Sequence, residues 1–126
     1  MNPSDLRFAK THEWIAADGT VGLSDHAQHE ITDVVFVELP KAGRSVKAGE
    51  GASVVESVKA AFDVYAPVAG QVAAVNPEVV ANPALVNQSP YDKGWLFRLK
   101  PADPAEWDGL MTYERYQEFV KTAEPH

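Results

Sequence analysis

The sequence has no cysteine, which excludes disulfide bonds and thiol catalysis within the chain and fits a reducing compartment. It also has no apolar run long enough to cross a bilayer. Residues 1–10 have neither the apolar core of a signal peptide nor the Arg- and Ser-rich composition of a transit peptide. We therefore expect a cytoplasmic protein with no membrane partner.

Basic residues are few, because 11 Lys and Arg stand against 18 Asp and Glu, which gives a net charge of −7. No basic cluster offsets this charge, and an acidic surface repels nucleic acid, so we expect no nucleic-acid partner. The charge favours solubility, which suits a protein that visits several partners. The length of 126 residues and the hydrophobic content of 45% fit one domain over residues 1–126.

Recognisable catalytic patterns are also missing, since there is no Gly-rich phosphate loop, no Ser-His-Asp arrangement and no paired-carboxylate pattern. We therefore expect no catalytic residue and no enzymatic activity of the chain alone. His26 and His29 are three positions apart on a predicted helix, which would place both imidazoles on one face. Two histidines are a weak metal signal, and we expect no metal site.

Strand-forming segments dominate the first hundred residues. We expect strands over residues 8–16, 20–23, 34–39, 46–50, 52–55, 64–65, 71–75 and 95–100. The apolar run 34–39 predicts a buried strand, and 95–100 is the last strand expected. This pattern predicts a mainly β protein, built as an antiparallel β-sandwich or flattened barrel.

Helical signals are short and concentrate near the C-terminus. Ser24 is a predicted N-cap for a helix that continues to Ile31. Residues 77–87 contain two prolines and can form only short helical turns. The C-terminal segment, about 103–123, is predicted to be helical, with Thr112 capping a final amphipathic helix.

Lys59 is predicted to lie at the tip of a hairpin, because strand-like residues precede and follow it. Gly49 lies ten residues before Lys59 and Gly70 lies eleven residues after it, which indicates two arms of nearly equal length. We expect this hairpin to occupy about residues 46–72. On composition alone, a lysine at such a tip is most simply a solvated surface charge.

The string Glu56-Ser57-Val58-Lys59-Ala60 resembles the lipoyl-attachment hairpin of biotinyl/lipoyl carrier domains, and more specifically the H-protein family of the glycine cleavage system. A lysine followed by alanine is the lipoyl form, whereas biotin attachment has a lysine between methionines. The resemblance covers nearly the whole chain in order. Its other matching segments are 11–14, 25–28, 34–40, 89–91 and 94–95.

This resemblance implies a lipoyl-domain-like fold with lipoate attached covalently to Lys59. It implies that Glu56 and Gly43 are recognised by the lipoate-attaching enzyme. The lipoyl arm would accept an aminomethyl group from glycine decarboxylase (the P protein) and deliver it to the aminomethyltransferase (the T protein). Dihydrolipoamide dehydrogenase (the L protein) would then reoxidise the arm. The expected protein is thus a monomeric, non-catalytic carrier.

In the family, the loaded arm folds back into a surface cleft, and the matching positions are Thr11, Glu13 and Asp63. Without the resemblance, each of the three would be interpreted as a solvated residue at a strand edge. The sequence departs from common family versions at Thr32, at residues 29–31 and at Phe62. These departures are expected to alter the fine geometry of the cleft.

Two alternative functions stay open on the sequence. The chain could be a relay that passes lipoate to other complexes, or an interaction module whose lysine is never modified. A lipoyl domain of an α-ketoacid dehydrogenase is disfavoured, because such domains usually sit on longer chains and have Asp-Lys-Ala at the tip. The intact mass of the native protein separates the carriers from the unmodified module.

Overall fold

The computed structural model describes residues 1–123 and confirms the mainly β fold with antiparallel sheets, short helices and a C-terminal helix. The strands are β1 (Arg7–Phe8), β2 (Glu13–Ile15), β3 (Thr20–Leu23), β4 (Val34–Glu38), β5 (Ser45–Val46), β6 (Gly51–Ser57), β7 (Ala61–Tyr65), β8 (Gly70–Val75), β9 (Phe97–Pro101) and β10 (Met111–Thr112). The helices are α1 (Asp25–Ile31), α2 (Glu78–Ala81), α3 (Leu85–Gln88), α4 (Ala105–Asp108) and α5 (Tyr113–Ala123), with a 3₁₀ turn at Pro3–Asp5.

Two sheets form the body of the protein. One has seven strands in the order β10-β1-β2-β3-β9-β8-β5, and the other has three in the order β4-β6-β7. The main buried cluster takes apolar side chains from both sheets, which include Ile15 and Val21 from the first and Val55 and Val64 from the second. Among residues 1–123 no helix is both long enough and apolar enough to span a membrane.

A second, smaller apolar cluster lies beneath helix α5. It contains Phe8 and Trp14 from β1 and β2, together with Tyr116 from α5. The rings of Phe8 and Tyr116 are stacked with centroids 4.5 Å apart. This cluster fixes the C-terminal helix against the strands that carry part of the candidate site.

The predicted helix caps are present. The Ser24 hydroxyl accepts a hydrogen bond from the Ala27 N–H at 3.1 Å, which satisfies one of the unpaired donors at the start of α1. The Thr112 hydroxyl accepts from the Arg115 N–H at 3.4 Å at the start of α5. The predicted short helical turns within residues 77–87 correspond to α2 and α3.

The single strand predicted over residues 8–16 is wrong, because the segment forms two strands joined by a tight turn. β1 and β2 pair antiparallel with Phe8 opposite Trp14. The turn closes through hydrogen bonds from the His12 N–H to the Ala9 oxygen at 3.0 Å and from the Ala9 N–H to the Glu13 oxygen at 2.9 Å. His12 has φ +79°, in the left-handed region, which no extended strand can accommodate.

Three further strand predictions need correction. The strand predicted over 34–39 ends at Glu38 and is not fully buried, since Val35 and Phe36 are 56% and 48% exposed. β4 is the edge of its sheet, and a bulge between Val34 and Phe36 breaks the alternation of sides. Of the strand predicted over 46–50, only Val46 is in a strand, as part of β5, because a turn follows it. The strand at 95–100 is not the last, because β10 follows and pairs with β1.

Candidate functional site

Lys59 lies in a three-residue loop between β6 and β7, as the sequence predicts. The loop is closed by a hydrogen bond from the Ser57 N–H to the Ala60 oxygen at 2.8 Å. The Ser57 hydroxyl also accepts from the N–H groups of Lys59 and Ala60, at 3.1 and 3.3 Å. A further bond, from the Val58 N–H to the Asp33 oxygen at 3.0 Å, ties the tip to the residue before β4. The tip therefore has a defined conformation, with the Lys59 side chain exposed.

The side chain of Lys59 extends toward the end of helix α1. Its Nζ atom donates to the main-chain oxygen of Glu30 at 3.4 Å. Glu30 is also one of the residues that line a surface cleft of about 390 Å³. The amine of Lys59 thus lies at the edge of that cleft.

The cleft is formed where the β1–β2 turn, β2, β3, α1, β7 and α5 meet. Its polar lining residues are Thr11, His12, Glu13, His26, Glu30 and Asp63. Its apolar lining residues are Leu23, Ala27, Ile31, Phe62, Val64 and Val120. The three residues that the resemblance assigned to a cleft, Thr11, Glu13 and Asp63, therefore lie around the same cavity. A group that combines an apolar chain with a polar end would match this lining.

Glu13 is buried, with 1% of its surface exposed, and is not the solvated strand-edge residue expected from the sequence alone. Its strand β2 is flanked on both sides, by β1 and β3. One carboxyl oxygen accepts from the Thr11 hydroxyl, and the other accepts from the Tyr65 N–H at 3.1 Å. Burial raises the pKa of Glu13 from 4.5 to about 7, although both hydrogen bonds act to lower it.

The two histidines of α1 do not converge on a shared point. His26 Nε2 is 3.8 Å from a carboxyl oxygen of Glu30, whereas His29 Nε2 is 3.4 Å from a carboxyl oxygen of Asp25. Across residues 1–123, no group of three or more His, Asp or Glu side chains is arranged to hold a metal ion. The absence of a metal in the functional protein stays a prediction.

The two residues assigned to recognition lie outside the cleft. Glu56 is exposed on β6, opposite Phe36 on one side and Ala61 on the other. Gly43 has φ +92° in a turn, where its N–H donates to the Val72 oxygen at 2.7 Å. Glycine suits this position because residues with a side chain are strained at such angles.

Two of the three departures from common family versions line the cleft, and the third, Thr32, lies beside it. Glu30 and Ile31, within residues 29–31, are lining residues. Phe62 is half-buried and lines the cleft, so it adds an aromatic surface beside Asp63. Thr32 ends α1 with φ +66°, a conformation that glycine adopts more easily than a β-branched residue.

Sequence reasoning did not assign Val120 to the cleft, whereas it placed residues 29–31, which include Glu30, among the departures expected to alter the cleft. Val120 belongs to the apolar stripe predicted for the final helix, but the stripe does not say which surface it covers. The assignment of Val120 depends on contacts between segments that are far apart in the chain.

Comparison with known proteins finds relatives along nearly the whole chain. A family model described as "Glycine cleavage H-protein" matches residues 6–123. The glycine cleavage system H protein of Deinococcus radiodurans is 53% identical over 112 residues, which cover 89% of this chain and 93% of the relative. That of Thermus thermophilus is 50% identical over 123 residues, which cover 95% and 96% of the two chains.

A solved structure agrees with these relatives. The crystal structure of a glycine cleavage system H protein from Mycobacterium marinum superposes with a TM-score of 0.86 at 36% sequence identity. The match covers 95% of this chain and 99% of that one. The chain therefore belongs to the glycine cleavage H-protein family.

Proposed function

We propose that this protein is the lipoyl carrier of the glycine cleavage system, a non-catalytic subunit with lipoate linked to Lys59 through an amide bond. The observation that carries the proposal is the position of Lys59. Its amine is exposed on a hairpin tip of defined conformation, and it lies at the edge of the cleft beside Glu30. Family membership supports the same function.

The residues around Lys59 fit a lipoyl group. An exposed tip can enter the active site of another protein, which attachment and later chemistry both require. Amide formation removes the positive charge of Lys59. The modified side chain can therefore lie against apolar surface without the unfavourable desolvation of a charge. When attached, lipoate supplies the disulfide and dithiol chemistry that a cysteine-free chain lacks.

The cleft offers suitable contacts for the arm and for a cationic amino group at its end. The apolar side chains Ile31, Phe62 and Val64 would contact the alkyl portion. Thr11, Glu13 and Asp63 would hold the amino group by hydrogen bonds and charge. Because a nearby cation favours the ionised carboxyl group, binding of that amino group would lower the pKa of Glu13 from its raised value.

Attachment requires an enzyme that selects Lys59 among the lysines of the chain. We assign this recognition to Glu56, which is exposed three residues before Lys59, and to the turn at Gly43. The other proposed partners are glycine decarboxylase, the aminomethyltransferase and dihydrolipoamide dehydrogenase. In this proposal residues 1–126 act as one monomeric carrier domain in the cytoplasm.

The proposal is tested by the intact mass of protein purified from its native host, followed by peptide mapping. The expected result is one lipoyl group, on Lys59, that is lost in Lys59→Arg because arginine cannot form the amide. Lys47→Arg is the matched control, since Lys47 is also exposed beside a turn. Lipoyl mass on another lysine, or no lipoyl mass on the wild-type protein, would overturn the proposal.

A further inference from the structure

A buried tyrosine hydroxyl joins three elements behind the cleft. Tyr116 of α5 is only 2% exposed. Its hydroxyl oxygen lies 2.7 Å from Nδ1 of His12 and 2.7 Å from Oγ of Ser24. These contacts link the C-terminal helix to the β1–β2 turn and to the start of α1.

His12 is the residue of this network that reaches the cleft. It lines the cleft next to Glu13 in the chain, and its ring is 5.0 Å from that of His26, another lining residue. The backbone of His12 is in the left-handed region at φ +79°. A residue with a side chain keeps such a conformation only when its surroundings hold it there.

The surroundings hold His12 at both its backbone and its ring. Its main-chain oxygen accepts from the Ser24 N–H at 3.0 Å, and its Nδ1 contacts the Tyr116 hydroxyl. The ring of Phe119 adds a packing contact, with centroids 6.3 Å apart. Helix α5 therefore contacts His12 through Tyr116 and Phe119, while its Val120 lines the cleft directly.

The hydrogen bonds among Ser24, Tyr116 and His12 allow a direction in which each hydroxyl proton has an acceptor. In this direction Ser24 Oγ accepts from the Ala27 N–H and donates its own proton to Tyr116. The Tyr116 hydroxyl then donates to Nδ1 of His12. This direction makes Nδ1 the acceptor and leaves the imidazole proton on Nε2.

We propose that Tyr116 is a positioning residue for the cleft. It acts by fixing the orientation and the tautomer of the His12 ring. The inference rests on the proposed function, because it concerns the cleft that receives the lipoyl arm. Loss of the hydroxyl removes the hydrogen bond that links α5 to the His12 ring and to the turn before Glu13, although Tyr116 itself does not line the cleft. The lipoyl arm then spends less time in the cleft.

The first test compares Tyr116→Phe with Tyr91→Phe on lipoylated protein. Tyr91 is the matched control because its hydroxyl also bonds to the start of α1, accepting from the Asp25 N–H at 3.1 Å, yet it does not line the cleft. The arm is reduced and loaded with formaldehyde and ammonia, and the release of formaldehyde is followed.

We expect release about fivefold faster in Tyr116→Phe, which corresponds to about 1 kcal/mol, and a near wild-type rate in Tyr91→Phe. Equal rates in Tyr116→Phe and the wild type would overturn the inference. Equal acceleration in both variants would do so too, since it would indicate general loosening of the fold. If the wild-type protein released formaldehyde as fast as a lipoyl-lysine peptide, the cleft would not shelter the arm. That result would overturn this part of the proposed function.

The second test needs no lipoate and is made on protein with unmodified Lys59. The ¹⁵N shifts of the His12 ring should show Nδ1 as a hydrogen-bonded acceptor and the proton on Nε2. Tyr116→Phe should lose this signature, whereas Tyr91→Phe should keep it. A wild-type His12 with its proton on Nδ1 would refute the network, whatever the state of Lys59.

Discussion

The amine of Lys59 lies 3.4 Å from the main-chain oxygen of Glu30, although 29 positions separate the two residues in the chain. The contact depends on the tip loop, which is attached through Val58 to Asp33, just after α1. The end of α1 and the hairpin tip are therefore held side by side. This arrangement places the proposed attachment point next to the cleft, rather than on a hairpin that projects freely.

The conformation of the tip depends on the Ser57 hydroxyl. Ser57→Ala removes the acceptor for two main-chain N–H groups, those of Lys59 and Ala60. We expect the free energy of unfolding to fall by about 1–2 kcal/mol, because each of the two net hydrogen bonds contributes about 1 kcal/mol. We also expect slower lipoylation of Lys59, measured by intact mass over time.

The control for this prediction is Ser45→Ala, since Ser45 is an exposed strand residue. It should change neither the unfolding free energy nor the lipoylation rate appreciably. Normal lipoylation of Ser57→Ala would show that the attaching enzyme does not depend on a preformed loop.

Glu56 tests whether recognition and stability can be separated. Glu56→Ala should slow lipoylation while changing the unfolding free energy by less than about 0.5 kcal/mol, because the side chain is exposed. Glu38→Ala serves as the control, since Glu38 is an exposed carboxylate on the neighbouring strand β4. Equal lipoylation rates for Glu56→Ala and the wild type would remove Glu56 from the recognition surface.

Local signals in the sequence predicted the hairpin tip, the Ser24 cap and the final helix. Each depends on residues close together in the chain, such as a serine before a helix or strand-like residues on either side of a loop. The split of residues 8–16 into β1 and β2 was missed because strands of two and three residues are too short to establish an alternating pattern.

The cleft was predictable only in part. The resemblance supplied Thr11, Glu13 and Asp63, and these residues do line one cavity. The burial of Glu13 was not predictable, because it depends on segments far along the chain, such as β7, whose Tyr65 N–H bonds the carboxyl group. Val120 lies about a hundred residues after β1 in the chain. It lines the cleft only because α5 packs against β1 and β2.

The raised pKa of Glu13 gives the last prediction, which concerns stability against pH. In the unfolded chain the carboxyl group has its ordinary pKa of 4.5, whereas in the folded protein the pKa is about 7. Below pH 4.5 the group is protonated in both states and contributes no pH dependence. Between these values the unfolded state loses the proton while the folded state retains it, so the free energy of unfolding falls as pH rises.

Above pH 7 the loss in the free energy of unfolding, relative to pH values below 4.5, stays constant at about 3 kcal/mol, since each unit of pKa shift corresponds to about 1.4 kcal/mol. Glu13→Gln removes the ionisation and still offers an oxygen to the Tyr65 N–H and an amide N–H to Thr11. Relative to the wild type, it should therefore gain about 3 kcal/mol of stability between pH 4.5 and pH 8.

Guanidinium unfolding of both proteins at pH 4.5, 6 and 8 measures the difference, and Glu118→Gln controls for the loss of one exposed negative charge. Parallel pH profiles for the wild type and Glu13→Gln would show that burial does not hold the proton on Glu13, and the cleft would then contain a permanent carboxylate at neutral pH.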